Sequence, residues 1–252
     1  MIDLTLVGIG TGNPKHLTIE AIEALNGLDL ILIPNKGAGK DDLAALRHAI
    51  CDQMIRQPGP RLAEFDLPRR DAQNPDYRQG VEDWHDAIAR VWEESIRSQL
   101  PRGGKAGFLV WGDPSLYDST MRIAGRLQAR TQVALRIIPG ITSIQALTAA
   151  HGIPLNQIGA PVSITTGRQL RATGWPDSAD TLVIMLDGDC SFQSIDPKGV
   201  HIWWSAYVGM ENEISMSGEL EEIAGQIIET RAKARAAHGW IMDIYILRRP
   251  AR

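Results

Sequence analysis

Only two cysteines, Cys51 and Cys190, occur in 252 residues. Their number and placement exclude a disulfide framework and a metal-ligand spacing, and fit a reduced, cytoplasmic setting. Apolar runs are short; none approaches the roughly 20 residues of a membrane span. Met1-Ile2-Asp3-Leu4 enters a strand at once, so no signal peptide is expected. Basic residues are not in excess. With 26 Lys and Arg against 30 Asp and Glu, the formal charge is -4. That argues against general nucleic-acid binding, while leaving room for a basic pocket that takes an acidic small molecule. Fixed-period repeats and low-complexity segments are missing. So are Ser/His/Asp, Cys/His and paired-carboxylate patterns, so no covalent protein intermediate and no metal are expected.

What is present is an ordinary globular composition, 44% hydrophobic and 22% charged, long enough for one large domain or two of ordinary size. The chain is organised around Phe108-Leu109-Val110-Trp111-Gly112-Asp113-Pro114-Ser115-Leu116-Tyr117. It opens as a continuous apolar run, the mark of a strand buried on both faces. Gly112-Asp113-Pro114 then forces a turn, and Leu116, Thr120, Ile123, Ala124 and Leu127 recur at helical spacing. Open parallel sheets bind ligands at such carboxyl ends, although a plain strand-to-helix connection reads the same.

Upstream, Leu4 to Val7 is a buried strand, followed by Gly8-Ile9-Gly10-Thr11-Gly12-Asn13-Pro14. The dinucleotide fingerprint fails there, because Asn13 stands at the third glycine position, which disfavours a nicotinamide oxidoreductase. A helix capped by Thr18 ends at Asn26-Gly27, and a second buried strand covers Leu28 to Ile33, stopped by Pro34. Strand, helix, strand in about 30 residues implies a right-handed parallel crossover. Gly39-Lys40 lacks the first glycine and the Ser/Thr of a P-loop. Lys36 and Lys40 either meet substrate carboxylates or stand solvated.

Leu43, Leu46, Ile50 and Met54 mark an amphipathic helix, and a strand falls near Leu62 to Phe65. A long helix follows from about Pro75 to Leu100, with His85 beside its apolar stripe. His85 is either a general base or a helix-face histidine bonded to a neighbouring carboxylate. Val133 to Ile138 reads as a strand, and Thr142 or Ser143 caps a helix that ends at Gly152, offering free N–H donors.

The remainder changes character. Strand signals lie at Pro161–Thr166, Thr181–Leu186, His201–Val208, Ile214–Ser217 and Trp240–Leu247, with a hairpin around Gly209 to Glu213 and a helix over Glu219 to Ala236. The fold class is therefore α/β, a parallel N-terminal sheet followed by a mixed C-terminal one, with domains over 1–112 and 113–252.

Three motifs, taken in order, resemble the tetrapyrrole methylase family. They are Val7 to Pro14 running into Leu17-Thr18, then Gly112 to Tyr117, then Ile138-Pro139-Gly140-Ile141-Thr142-Ser143. The resemblance covers essentially the whole chain. Two places depart from it: Thr11 stands where many members have proline, and the usual C-terminal cofactor contact is not recognisable in Trp240–Tyr245. A finer likeness is carried by Asp83-Trp84-His85, Phe108 to Thr120, Ile164 to Arg168, Met185-Leu186-Asp187-Gly188-Asp189-Cys190 and His238 to Asp243. It points to the member of aerobic cobalamin synthesis that methylates C1 of precorrin-5 and releases the extruded acetyl group as acetic acid.

The resemblance implies an S-adenosylmethionine-dependent methyltransferase, a homodimer, with cofactor and tetrapyrrole in a cleft between the two domains. It assigns the methionine part of the cofactor to Gly112, Asp113 and Leu116. Thr142, Ser143, Met185 and Leu186 would frame the cofactor, and Gly209 would approach the adenosine. Tyr117 is the expected donor and His85 the expected base for deacetylation. Lys36, Arg78 and Arg168 are candidates for the substrate carboxylates. Two other readings stay open: methylation of another corrin-precursor carbon without deacetylation, and a non-catalytic nucleotide-binding module.

Overall fold

The computed structural model describes residues 1–35, 41–71 and 76–250, and divides into two compact units, Met1–Ile141 and Thr142–Arg252. The first unit holds β1 (Ile2–Gly8), α1 (Ile19–Asn26), β2 (Leu30–Asn35), α2 (Asp41–Met54), β3 (Arg61–Asp66), α3 (Tyr77–Gln99), β4 (Gly104–Val110), α4 (Thr120–Arg130) and β5 (Val133–Ile138). All five strands run parallel, in the order β3-β2-β4-β1-β5. Apolar side chains alternate between two cores. Leu4, Leu6, Phe108 and Val110 pack with Ile88, Trp92 and Ile96 of α3 and Ile123 and Leu127 of α4. Val7, Ile31, Ile33 and Leu109 pack with Ala21 and Leu25 of α1 and Ile50 of α2.

This order creates a switch point. The chain leaves β1 by one face toward β2, and leaves β4 by the other face toward β5. The two loops therefore diverge at the carboxyl ends of neighbouring strands, where open sheets form their ligand crevice.

The second unit holds α5 (Ser143–His151), β6 (Val162–Thr166), α6 (Gly167–Thr173), β7 (Thr181–Met185), β8 (His201–Ala206), β9 (Ile214–Glu219), α7 (Leu220–His238) and β10 (Asp243–Arg248). Its sheet order is β6-β7-β10-β8-β9. β6 and β7 are parallel, β10 is antiparallel to both β7 and β8, and β8–β9 is the expected hairpin. β7 and β8 therefore point the same way, and their carboxyl ends share one edge. Leu182, Ile184, Ile202 and Trp204 face the α7 core. Ser205, pointing to the opposite face, meets His151 of α5.

The expected α/β class with a parallel and a mixed sheet is what forms. The expected break between residues 112 and 113 is corrected to Ile141/Thr142. The reason is β5, which pairs along β1 and so keeps α4 and β5 in the first unit. β2 also runs through Pro34 to Asn35 rather than stopping before it. Its pairing to β4 ends at Leu32, so a residue without an N–H is tolerated there. No helix among the described residues is long and apolar enough to cross a membrane.

Candidate cofactor and substrate site

Within the first unit, three turns converge at the switch point. Gly10 and Gly112 form an isolated antiparallel bridge, Gly112 N–H donating to the Gly10 carbonyl at 2.8 Å and Gly10 N–H to that of Gly112 at 3.3 Å. The turn after β5 closes on both. A Cβ on Gly8 would stand 2.6 Å from the Gly140 nitrogen, and one on Gly140 only 2.1 Å from the Gly112 oxygen. Glycine is needed because main chain meets main chain. Asp113 ties two of the turns. Its carboxylate accepts the Ser115 N–H at 2.8 Å and the Gly140 N–H at 2.9 Å. Burial pushes its pKa up, but the Ser115 hydroxyl, which also donates to it, and these two amides outweigh burial and hold the carboxyl below its ordinary value.

Gly112 itself adopts φ 66°, and a Cβ there would meet nothing within 4 Å. Packing does not explain that glycine; backbone conformation and open approach do. Leu116 closes the turn on the Asp113 carbonyl at 3.2 Å. Tyr117 follows at φ 49°, 41% exposed, its phenol pKa raised by burial. A non-glycine residue there costs about 1–3 kcal/mol, and such strain clusters at functional sites.

His85 is 3% exposed, and neither ring nitrogen has a hydrogen-bond partner. The expected bond to a neighbouring carboxylate does not form. Arg126 of α4 takes both candidates instead, Asp86 at 2.5 Å and Glu82 as well. Burial, then Arg126, lowers the imidazole pKa. His85 shares a stripe with Ile88, Ala89 and Trp92, and Trp92 stacks on Phe108 at 4.0 Å. Since α3 runs against β4, His85 lies on the part of α3 nearer the carboxyl ends of the strands.

Arg78 lies exposed in the first turn of α3, and Lys36 is outside the described residues. No sequence motif singles out Arg47. This α2 side chain is buried, and its Nε donates to the Leu109 carbonyl at 3.0 Å, near the end of β4. Its placement at helical spacing among Leu43, Leu46, Ile50 and Met54 was the available signal.

In the second unit, Thr142 caps α5 through a capping box, accepting the Ile144 N–H at 3.1 Å, while its own N–H donates to Gln145 at 3.1 Å. The free donors expected at this helix start are thus partly used. Ser143 opens the helix half-buried. Met185 ends β7, and Leu186 follows at φ 52°, 66% exposed. Tyr207, after β8, is also left-handed at φ 52°, and Gly209 takes φ 83°. The Gly209 N–H is occupied by Glu213 at 2.7 Å. From Glu213 a chain runs through Ser215 (2.9 Å) and Ser205 (2.7 Å) to His151 (3.1 Å). Arg168 stands exposed on the first turn of α6, a short helix that sequence periodicity does not show. Among the described residues, Thr142 bonds to Ile144 and Gln145 and Gly209 to Glu213, so these hydrogen bonds do not join the two turns. Among the described residues no cluster of His, Cys, Asp or Glu is set to hold a metal.

The family model of the tetrapyrrole (corrin/porphyrin) methylases matches residues 3–224, and the chain belongs to that family. It is 48% identical to the precorrin-6A synthase [deacetylating] of Sinorhizobium sp, over 100% of this chain and 97% of the relative. A solved cobalamin synthesis related protein (CobF) from Corynebacterium diphtheriae superimposes with a TM-score of 0.83 at 38% identity, covering 98% of each chain. In fold alone, the uroporphyrin-III C-methyl transferase of Thermus thermophilus complexed with S-adenyl homocysteine is similar too. It covers 97% of this chain and 91% of its own, with a TM-score of 0.59 at 19% identity.

Proposed function

We propose that the protein methylates C1 of precorrin-5 from S-adenosylmethionine and releases the extruded acetyl group as acetic acid, giving precorrin-6A. The observation that carries this is the full-length likeness to the Sinorhizobium deacetylating synthase. When bound, the cofactor supplies an electrophilic methyl group on sulfonium. The macrocycle is itself the carbon nucleophile, so the protein's task is position and exclusion of water. That agrees with a chain lacking a nucleophile triad.

The residues of the first unit fit such a cofactor. Gly112 presents open space beside a backbone locked to Gly10, and Asp113 fixes the turn that follows. We assign the methionine part to Gly112, Asp113 and Leu116. We assign the rest of the cofactor to Thr142, Ser143, Met185, Leu186 and Gly209. With its N–H taken by Glu213, Gly209 serves by close approach of its backbone, not as a donor.

Deacetylation needs water to add to a ketone. His85, kept neutral by burial, is the base that takes the proton of that water, and Tyr117 donates to the carbonyl. Arg78, Arg168 and Lys36 serve the substrate carboxylates. We read the enzyme as a cytoplasmic homodimer, which sedimentation would check. The test of function is incubation with labelled cofactor and precorrin-5, followed by mass analysis of pigment and acetate. A methylated pigment without acetate would favour another ring carbon. In the same assay His85→Ala should slow acetate release by about 10²-fold or more, the usual worth of a general base, with cofactor affinity held. Unchanged acetate release would remove His85 from the chemistry.

A further inference from the structure

Asp187 directly follows the exposed, left-handed Leu186. Its carboxylate is buried, and donors converge on it: Ser191 N–H at 2.5 Å, Ser191 hydroxyl at 2.6 Å, Tyr245 hydroxyl at 2.7 Å and Asp189 N–H at 3.1 Å. Its backbone carbonyl accepts from Arg231 at 2.9 Å, and Arg231 is anchored on Asp243 at 2.8 Å. Gly167 makes room, for a Cβ there would lie 2.2 Å from an Asp187 oxygen. The chain from 187 to 191 is thereby wound around one immobile charge.

Leu186 shows what this winding does. An apolar side chain is held out of the core in a backbone conformation that leucine avoids. Burial cannot explain it, nor can local propensity. Strain of this kind persists where the surroundings over-determine it, and the surroundings here are the bonds on Asp187.

We propose that Asp187, fastened by Tyr245, is a positioning residue that presets Leu186 as an apolar platform for the adenosyl group. This rests on the cofactor reading above. Asp187 does not touch the ligand; it acts through its neighbour. Ordering the platform before binding removes an ordering cost from the binding step.

A double-mutant cycle tests it, with S-adenosylhomocysteine affinity measured by calorimetry on the whole protein. Leu186→Gly removes the platform and accepts φ 52° without strain. Tyr245→Phe removes one hydroxyl and leaves the ring in place. Tyr245→Phe alone should weaken binding about fivefold, the scale of coupling within one hydrogen-bond network. In the Leu186→Gly background the same change should cost less than about twofold. In ligand-free protein, Tyr245→Phe should also speed hydrogen exchange at the Asp189 and Ser191 amides. Equal losses in both backgrounds would overturn the proposal, as would unchanged affinity in Tyr245→Phe. Should Tyr245→Phe fail to fold, Asp187→Asn takes its place in the cycle under the same criteria. Wild-type protein that binds no S-adenosylhomocysteine would instead overturn the cofactor reading, and this inference with it.

Discussion

A neutral imidazole carries one donor and one acceptor, and His85 leaves both unmet inside the first unit. That arrangement costs stability, and the cost has a pH signature. Burial holds the folded pKa below the ordinary 6.5. The unfolded chain therefore takes up a proton at a pH where the folded chain does not. Stability falls as pH drops through 6.5 toward the folded value, and recovers above it. Urea unfolding at about pH 7.5 and about pH 5.5, either side of the histidine range, should show the loss. His85→Asn should reduce the difference without abolishing it, because burial also lowers the pKa of His151. An unaltered slope in His85→Asn would mean that His85 takes up its proton over the same pH range in the folded and unfolded chains. The periodicity of the helix placed His85 near the apolar stripe. It could not reveal that Arg126, 40 residues further on, would draw Asp86 away from it.

At the scale of elements, the converging turns make the sharpest structural prediction. Gly140→Ala sets a methyl group against the Gly112 carbonyl, and backbone cannot move aside as a flexible side chain can. The expected loss is about 3 kcal/mol or more, at the upper end for overpacking. It is read from the denaturant midpoint. Gly125→Ala on α4, where a Cβ would meet nothing within 4 Å, is the control and should be neutral or mildly stabilising. A second loss arises at the same junction. Asp113→Ala removes carboxylate bonds to two turns and should cost about 1.5–3 kcal/mol, the range for bonds to a charged group. Equal melting of Gly140→Ala and wild type would show that the turns do not touch. Both glycine turns and the strand ends before them were legible in sequence, because buried runs stopped by Gly and Pro are local signals. Their mutual packing was not, since the Gly140 turn lies 27 residues from Asp113 and the first turn about 100 residues or more from both, and such segments carry no local mark of one another. α6 escaped notice for a different reason: seven residues hold too few periods to show a stripe.

For the whole molecule, the class of fold followed from where the strand pattern changes, and the position of the domain break did not. Residues 113–141 contain a helix and a strand that suit either sheet. Only the pairing of Val133 to Ile138 with β1 decides the matter, and pairing partners lie outside any window of sequence. The candidate site is legible to the same degree: Gly112 and Leu186 stand at strand ends that the sequence marks, while Asp187 and Tyr245, 58 residues apart, meet only in the fold. The molecule as a whole also answers the remaining functional alternative. A ligand that binds the folded chain and not the unfolded one stabilises it by mass action, by about 2.7 kcal/mol at a hundredfold excess over Kd. S-adenosylhomocysteine should therefore raise the thermal midpoint in a concentration-dependent way. NAD and ATP should not, because the first loop has Asn13 where a dinucleotide fingerprint needs glycine, and Gly39-Lys40 lacks the rest of a P-loop. A midpoint that rises with ATP or NAD and not with S-adenosylhomocysteine would make the protein a nucleotide-binding module on a methylase fold.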